Sequence, residues 1–251
     1  MVAGLIAGLL VWAPWIPPPV LRPTGLVAGP ATANSISFRW SRPPTGPLPD
    51  KYLILRDGTV AGSVAGTATS YLRMGLTPAS SYQYRVVAVR GGKRSPRSAV
   101  LLVSTLTPPI SDARLQGSWS VNVKYIQRVF GRRSETLFWQ AIPACTVGAC
   151  DVTLLAKAGR HPFSVELARA GAVYQGHAVV SFIRCGKGAS SFPDPTTLKF
   201  WVRVTAAAGK RQVWAATALA GTMTGTSQYV SAGSYYCPAS TFKATLSGTP
   251  S

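Results

Sequence analysis

The sequence predicts an all-β protein, and three observations support this. Short runs alternate apolar and polar residues with a period of two, and turn residues separate them. Few windows show the 3.6-residue period of an amphipathic helix. Only 13% of the residues are charged, while Gly and Pro number 24 and 20. A length of 251 residues suits two domains of about 100–150 residues each.

Residues 1–21 are predicted to be a membrane anchor or signal segment followed by a proline-rich stalk. Val2–Trp12 is apolar and carries no charge. A signal peptide would have a basic start and a nearby small-residue cleavage site, and both are missing here. A helix over Val2–Ala13 would span only about 18 Å of a bilayer core about 30 Å thick. We favour an anchor whose upstream part lies outside this sequence. Either alternative places the rest of the chain outside the cytoplasm.

Residues 22–108 are predicted to form one small β-sandwich. Ser35–Trp40 alternates with its aromatic residues facing inward, and Lys51–Leu55 forms another strand before an Asp-Gly turn. Tyr82–Ala88 alternates clearly and follows Thr77-Pro78, which cannot continue a strand ladder. A tyrosine at the start of such a strand fits the tyrosine corner of Greek-key sandwiches.

These residues together resemble a fibronectin type III domain over about 85 residues. The resemblance implies a sandwich that serves as a spacer or a binding module rather than a catalyst. The Arg-Gly-Asp loop of some animal members is absent, and the corresponding basic loop makes Lys93 and Arg94 candidate ligand-binding residues. The matching positions are Pro23, Leu26, Ser35, Trp40, Tyr52, Ile54, Arg56-Asp57-Gly58, Tyr71, Leu76-Thr77-Pro78, Tyr82, Tyr84, Val86, Ala88-Val89, Ser95-Pro96, Thr105 and Pro108.

Residues 109–251 are predicted to form a second antiparallel β domain. Strand-like runs recur every 10–15 residues or so, which favours either a meandering barrel or a sandwich. Gly117-Ser118-Trp119 opens the domain, and Gly-x-Trp at this place also occurs in lipocalin-like and avidin-like barrels. Lys199–Ala206 and Gln212–Thr222 are expected to form a hairpin over an Ala208–Lys210 turn.

The second domain also resembles a β domain that recurs in exported parts of actinobacterial membrane proteins, some of which carry a cytoplasmic kinase. This resemblance implies a location and no chemistry. The matching positions are Trp139, Pro143, Cys145, Cys150-Asp151-Val152, Tyr174, Gly176, Cys185, Trp214, Leu219, Gly221-Thr222 and Cys237.

The four cysteines are predicted to form two disulfides in an oxidising compartment. Cys145 and Cys150 are close enough to pair across a glycine-containing turn, which leaves Cys185 to pair with Cys237. In the chain-entropy model these bonds are worth about 2 and about 4 kcal/mol. A zinc site is the alternative, but only one close cysteine pair is present, so no metal and no cofactor is predicted.

Catalytic patterns are sparse, and we predict that the protein is not an enzyme. The seven carboxylates are scattered, and Glu135 and Glu166 are the only glutamates. An acid/base pair made by these two would be the basis of a hydrolase. His161 and His177 belong to no recognisable catalytic or metal-binding motif.

Charge and loop composition favour binding. The net charge of +19 attracts anionic polymers or lipid head groups, although a merely solvated basic surface is the alternative. The segment 225–238 is rich in Ser, Gly and Tyr, as antibody paratopes are, and makes Tyr229, Tyr235 and Tyr236 candidate ligand-binding residues. An ordinary long loop is the other interpretation. The predicted location and the lack of a clustered basic stripe argue against nucleic acid as a partner.

We therefore expect a non-catalytic recognition or adhesion protein at the cell envelope. A fibronectin type III spacer would present a disulfide-stapled β domain to an anionic cell-wall polymer, a glycan or a surface protein. The N-terminal segment would contact the membrane. The alternatives are a secreted hydrolase with an accessory fibronectin type III module and the ectodomain of a membrane signalling protein.

Overall fold

The computed structural model describes residues 18–129, 132–158, 160–181, 183–185, 192–232 and 235–251. Within these residues the regular structure is β, apart from a 3-10 turn at Ile110–Asp112, which confirms the all-β class. None of the described residues belongs to a helix long and apolar enough to cross a membrane. The predicted anchor or signal at residues 1–17 lies outside the described residues.

Contacts between Cα atoms divide the chain into two compact units. One contains the described residues up to Pro30 together with Ser37–Leu72 and Tyr82–Val103. The other contains Ala31–Ile36, Arg73–Ser81 and Ser104–Ser251.

The first eight strands form two sheets. One sheet has the order β1-β2-β5, and the other has the order β4-β3-β6-β7 with β8 also paired to β6. The strands are β1 (Thr24–Ala31), β2 (Ile36–Ser41), β3 (Lys51–Arg56), β4 (Thr59–Ala65), β5 (Ser70–Arg73), β6 (Ser81–Arg90), β7 (Lys93–Arg94) and β8 (Leu101–Ser104).

Strand alternation produces the buried faces of these sheets, as the sequence predicted. Phe38 and Trp40 on β2 are buried, and so are Tyr84 and Val86 on β6. The ring centroids of Phe38 and Tyr84 are 4.9 Å apart, within the range of favourable aromatic pairs. The predicted Asp-Gly turn joins β3 to β4, and both of its residues have positive φ, as a tight hairpin requires.

The remaining strands build a closed eight-stranded barrel, which settles the choice between barrel and sandwich. Its order is β9-β10-β11-β12-β13-β16-β17-β20, with β20 paired back to β9, and two short hairpins lie in its connections. The strands are β9 (Gly117–Val129), β10 (Arg132–Pro143), β11 (Val152–Ala158), β12 (His161–Ala170), β13 (Val173–Val180), β14 (Arg184–Cys185), β15 (Phe192–Pro193), β16 (Thr196–Lys210), β17 (Val213–Ser227), β18 (Val230–Ala232), β19 (Tyr235–Cys237) and β20 (Ser240–Pro250).

The interior of the barrel is filled by side chains. Trp119, Trp139, Tyr174 and Phe200 are all buried in one hydrophobic cluster, which suits a barrel of this size. Glycine makes room where the packing is tightest. A Cβ atom at Gly225 would lie 2.0 Å from the ring of Phe242, so that this ring occupies the place of a side chain.

The hairpin between β16 and β17 differs from the prediction. Its turn consists of Arg211 and Gln212, with φ of 47° and 69°, rather than of Ala208–Lys210. Gly209 pairs with Trp214 inside the ladder. Two-residue turns of this kind usually contain Asn or Gly, and Arg-Gln gives no such signal in the sequence.

A short segment before β9 closes one end of the barrel. Ala113 and Leu115 are buried in the barrel core. Between them, the backbone N–H of Arg114 donates to the carbonyl of Trp214, and its carbonyl accepts from the N–H of Ala216, each at 2.9 Å. These two bonds hold the segment against β17 and direct the flanking side chains into the core.

The disulfide between Cys145 and Cys150 is present as predicted. The guanidinium of Arg114 donates to the carbonyls of Cys145 and Thr146 in this loop, and the guanidinium of Arg169 donates to the carbonyl of Ala149. One disulfide bond is thus seen in the described part of the chain, where the sequence predicted two. Cys237 is also disulfide-bonded, but the side chain of Cys185 is not among the described ones, so its pairing with Cys237 stays a prediction.

Candidate ligand-binding face

The outer wall of the barrel carries the strongest candidate site, on the neighbouring strands β16, β17, β20 and β9. Alternation sets the directions of the side chains. On β16 the buried residues Leu198, Phe200 and Val202 face the core, so the residues between them, Lys199, Trp201 and Arg203, face outward and are exposed.

Strand register aligns these outward residues with those of the neighbouring strands. Lys199 pairs with Thr224, which pairs with Lys243 on β20. Trp201 pairs with Thr222 in the next row, and that row continues across two more strands. We call this surface the cationic face and define it by Lys124, Lys199, Trp201, Arg203, Thr222, Thr224, Lys243 and Thr245.

The spacing of the cations lets their fields add. Adjacent strands lie about 4.8 Å apart, which places the backbones of Lys199 and Lys243 about 10 Å from each other, close to the Debye length in physiological salt. No carboxylate occupies a described outward position of β16, β17, β20 or β9. The cationic face is therefore a continuous positive surface lined with threonine hydroxyls.

An aromatic ring adds a flat contact to this face. Trp201 is 42% exposed, and the guanidinium of Arg203 lies 6.0 Å from its ring centroid. This distance is at the outer limit of a cation–π contact. The pair leaves the ring open to a ligand while holding a cation beside it.

The two glutamates do not form a catalytic pair. The carboxylate of Glu135 accepts a hydrogen bond from Tyr125, which packs against the barrel core. The carboxylate of Glu166 instead accepts from the exposed Thr153 hydroxyl, at 2.9 and 3.0 Å. The glutamates lie on β10 and β12, which are not neighbours. Alternation places Glu135 on the inner side of the wall, as for the buried Leu137, and Glu166 on the outer side, between the buried Val165 and Leu167. They cannot flank one scissile bond, as glycosidase carboxylates do.

Histidines and metal ligands form no cluster in the described part of the chain. His161 begins β12 and His177 lies on the outer side of β13. No group of three or more His, Cys, Asp or Glu side chains there could hold a metal ion.

The residues that the sequence singled out for binding lie in separate places. Lys93 and Arg94 form the exposed two-residue strand β7. Tyr229 is 62% exposed and precedes β18. Tyr235 and Tyr236 lie on β19, and their side chains are not among the described ones. A ligand-binding role for all five stays a prediction.

The two long connections of the barrel leave it at the same end. Val180 pairs with Thr196, Thr196 with Ser227, and Ser227 with Ser240, so these four residues share one row. The predicted disulfide between Cys185 and Cys237 would join the two connections at that end, which is where Tyr229 lies.

Sequence reasoning missed the cationic face itself. Its lysines are far apart in the chain, and each one alone is an ordinary exposed residue. A signal existed, because Lys199 and Arg203 occupy the polar positions of an alternating strand. The rows across four strands became visible only once the register was known.

Comparison with known proteins supports the first domain. Residues 21–104 match the fibronectin type III domain family, close to the predicted range of 22–108. No curated protein matches the chain. The family match does not extend to the second domain, and the resemblance of that domain to exported parts of actinobacterial membrane proteins is not confirmed.

Two solved structures are similar in part. One is the family 28 exopolygalacturonase of Yersinia enterocolitica, at 19% identity and a TM-score of 0.32; the match covers 38% of this chain and spans only 21% of the length of that protein. The other contains the FN1–FN3 domains of chicken CNTN1, at 13% identity and a TM-score of 0.30, covering 77% of this chain and 95% of that one. The sequence match and the buried strand pattern lead to one conclusion: residues 21–104 are a fibronectin type III domain.

Proposed function

We propose that this protein is a non-catalytic recognition protein of the cell envelope that binds anionic polymers through the cationic face of its barrel. The fibronectin type III domain acts as a spacer or accessory binding module. The observation that carries the proposal is the run of aligned cations and hydroxyls across β16, β17, β20 and β9, with no carboxylate at their described outward positions.

The physical chemistry of such a face suits an extended ligand better than a small one. One exposed ion contact contributes only about 0.2–1 kcal/mol, so a single anion would bind weakly. A polymer with repeated negative charges can contact Lys124, Lys199 and Lys243 together. The threonines between them supply hydroxyls that donate to and accept from polymer oxygens.

An extracytoplasmic location is part of the proposal. The disulfide between Cys145 and Cys150 supports it, since such bonds persist mainly in oxidising compartments. We further propose that residues 1–21 tether the protein to the membrane, which would set the face at the cell surface.

The test compares two variants that each lose two positive charges. K199Q/K243Q removes charge from the cationic face, and K93Q/R94Q removes the same amount from β7, where both residues are exposed. Binding of fluorescent poly-L-glutamate is measured from low to high salt. We expect K199Q/K243Q to weaken binding about 2- to 30-fold at low salt and to reduce the salt dependence, while K93Q/R94Q changes it less. Equal effects of the two variants, or none from K199Q/K243Q, would refute the assignment of the face.

A further inference from the structure

A groove of about 760 Å³ lies on the outer wall of the barrel across β9–β12. Phe138 is 63% exposed and Leu155 is 46% exposed, and both line this groove together with Pro162. Its volume is in the range of ligand-binding sites. Phe138 and Leu155 give the groove an exposed apolar floor.

Polar groups surround the apolar floor of the groove. The Ser118 hydroxyl donates to Oε1 of Gln140 at 2.8 Å, which orients the amide and leaves its NH₂ group to donate. Lys157 is the cross-strand partner of Phe138, so an ammonium group accompanies the ring. Ser164 adds a hydroxyl on the other side. The groove therefore combines a flat apolar ring, a fixed amide, hydroxyls and one cation.

We propose that this groove is a subsite for a sugar ring and that the polymer bound by the cationic face is an anionic polysaccharide. A pyranose ring has an apolar C–H face, which matches Phe138, and peripheral hydroxyls, which match Gln140 and the serines. A carboxylate or sulfate on the sugar matches Lys157. This inference rests on the proposed function and names the class of its ligand.

The groove and the cationic face are continuous on the barrel wall. Ser120 on β9 pairs with Phe138 on one side and with Thr249 of β20 on the other. Lys124 lies on the same outward side of β9 as Ser120. Lys124 pairs with Ser134 on β10, four residues before Phe138, so the cationic face and the groove are about 13 Å apart along the strands. A chain of several sugars that runs along β9 and β10 can therefore contact both surfaces.

The experiment uses the full chain and three probes: alginate, which is a carboxylated polysaccharide; poly-L-glutamate, which is a polyanion without sugars; and dextran, which is a neutral polysaccharide. The variants are F138A and, as a control, I142A. Ile142 is 45% exposed and lies two outward positions along β10, and it does not line the groove. Both side chains are exposed, so neither variant is expected to disturb folding.

We expect F138A to weaken alginate binding about 2- to 10-fold, the range of one aromatic contact, and to leave poly-L-glutamate binding unchanged. I142A should leave both unchanged, and dextran should bind far more weakly than alginate. The sugar subsite would be overturned if F138A weakened the binding of alginate and poly-L-glutamate equally, or if it left alginate binding unchanged. It would also be overturned if I142A weakened alginate binding as much as F138A does, or if dextran bound as tightly as alginate. If the K199Q/K243Q variant bound alginate and poly-L-glutamate as tightly as the unsubstituted protein does, the cationic face itself would be overturned instead.

Discussion

The substitution Leu115→Ala tests whether the segment before β9 closes the barrel. Leu115 is completely buried and belongs to the barrel core, although it lies on none of the eight barrel strands. If this segment is a structural part of the core, truncating its leucine should destabilise the barrel as strongly as truncating a residue on a strand.

The expected loss follows from the contacts of the segment. Leu→Ala substitutions in protein cores cost about 2–5 kcal/mol, and the cost is highest where the surroundings cannot collapse into the cavity. The two backbone hydrogen bonds of Arg114 to β17 restrict such a collapse. We therefore expect about 3–5 kcal/mol, which corresponds to a decrease in Tm of about 10 °C for a unit of this size.

Two measurements would report the loss of stability. The first is hydrogen exchange by mass spectrometry on peptides from β9 and β17, and the second is thermal unfolding followed by near-ultraviolet circular dichroism. Leu106→Ala is the control, since Leu106 is 57% exposed and its truncation should change stability by about 0.5 kcal/mol or less. If hydrogen exchange in the barrel strands changed no more in Leu115→Ala than in Leu106→Ala, the proposal that this segment closes the barrel would be wrong.

Two further predictions concern the same end of the barrel. The double substitution C145S/C150S should lower the free energy of unfolding by about 2 kcal/mol, as the chain-entropy model gives for so short a loop; an unchanged urea midpoint would contradict this. Burial raises the pKa of Tyr174 above its usual value of 10.0, with the charge of Arg169 opposing the shift. A raised folded-state pKa means that the neutral phenol contributes stability in full below about pH 10, and that this contribution is lost as the pH rises further. Tyr174→Phe should therefore reduce the loss of stability above pH 10, and an equally steep decline in the variant would refute the argument.

Most of the first domain could be predicted because residues adjacent in the sequence determine its strands and turns. The alternation at Phe38 and Trp40 names the buried face without reference to any other strand. The Asp57-Gly58 turn needs positive φ at both residues, and these residue types accept it. Family resemblance then added the sandwich fold, which alternation alone does not give.

The fold of the second domain was predictable only as antiparallel strands that form either a barrel or a sandwich. Closure into a barrel depends on the pairing of β20 with β9, which joins residues more than a hundred positions apart. No turn signal encodes that pairing. The segment around Leu115 was similarly hidden, because a single buried leucine outside a strand has no periodicity to reveal it.

The location of the positive surface depends on where the fold places its carboxylates. Composition showed a large excess of cations but no cluster, which left a solvated surface as a reasonable alternative. In the structure most carboxylates serve as hydrogen-bond acceptors that fix turns and neighbouring strands. They are Asp50 with the N–H of Gly91, Asp57 with the N–H of Gln83, Glu135 with Tyr125, Asp151 with the N–H of Arg169, and Glu166 with Thr153.

This use of the acids has a consequence for the outer wall of the barrel. A carboxylate that accepts a backbone or hydroxyl bond keeps its charge, but it is held at a turn, a strand end or a partner strand, and in the described part of the chain none forms a salt bridge with a lysine of the cationic face. Lys124, Lys199 and Lys243 therefore keep their full attraction for an external anion. The positive face arises because the few acids have structural positions elsewhere, and no dense run of basic residues is needed to produce it.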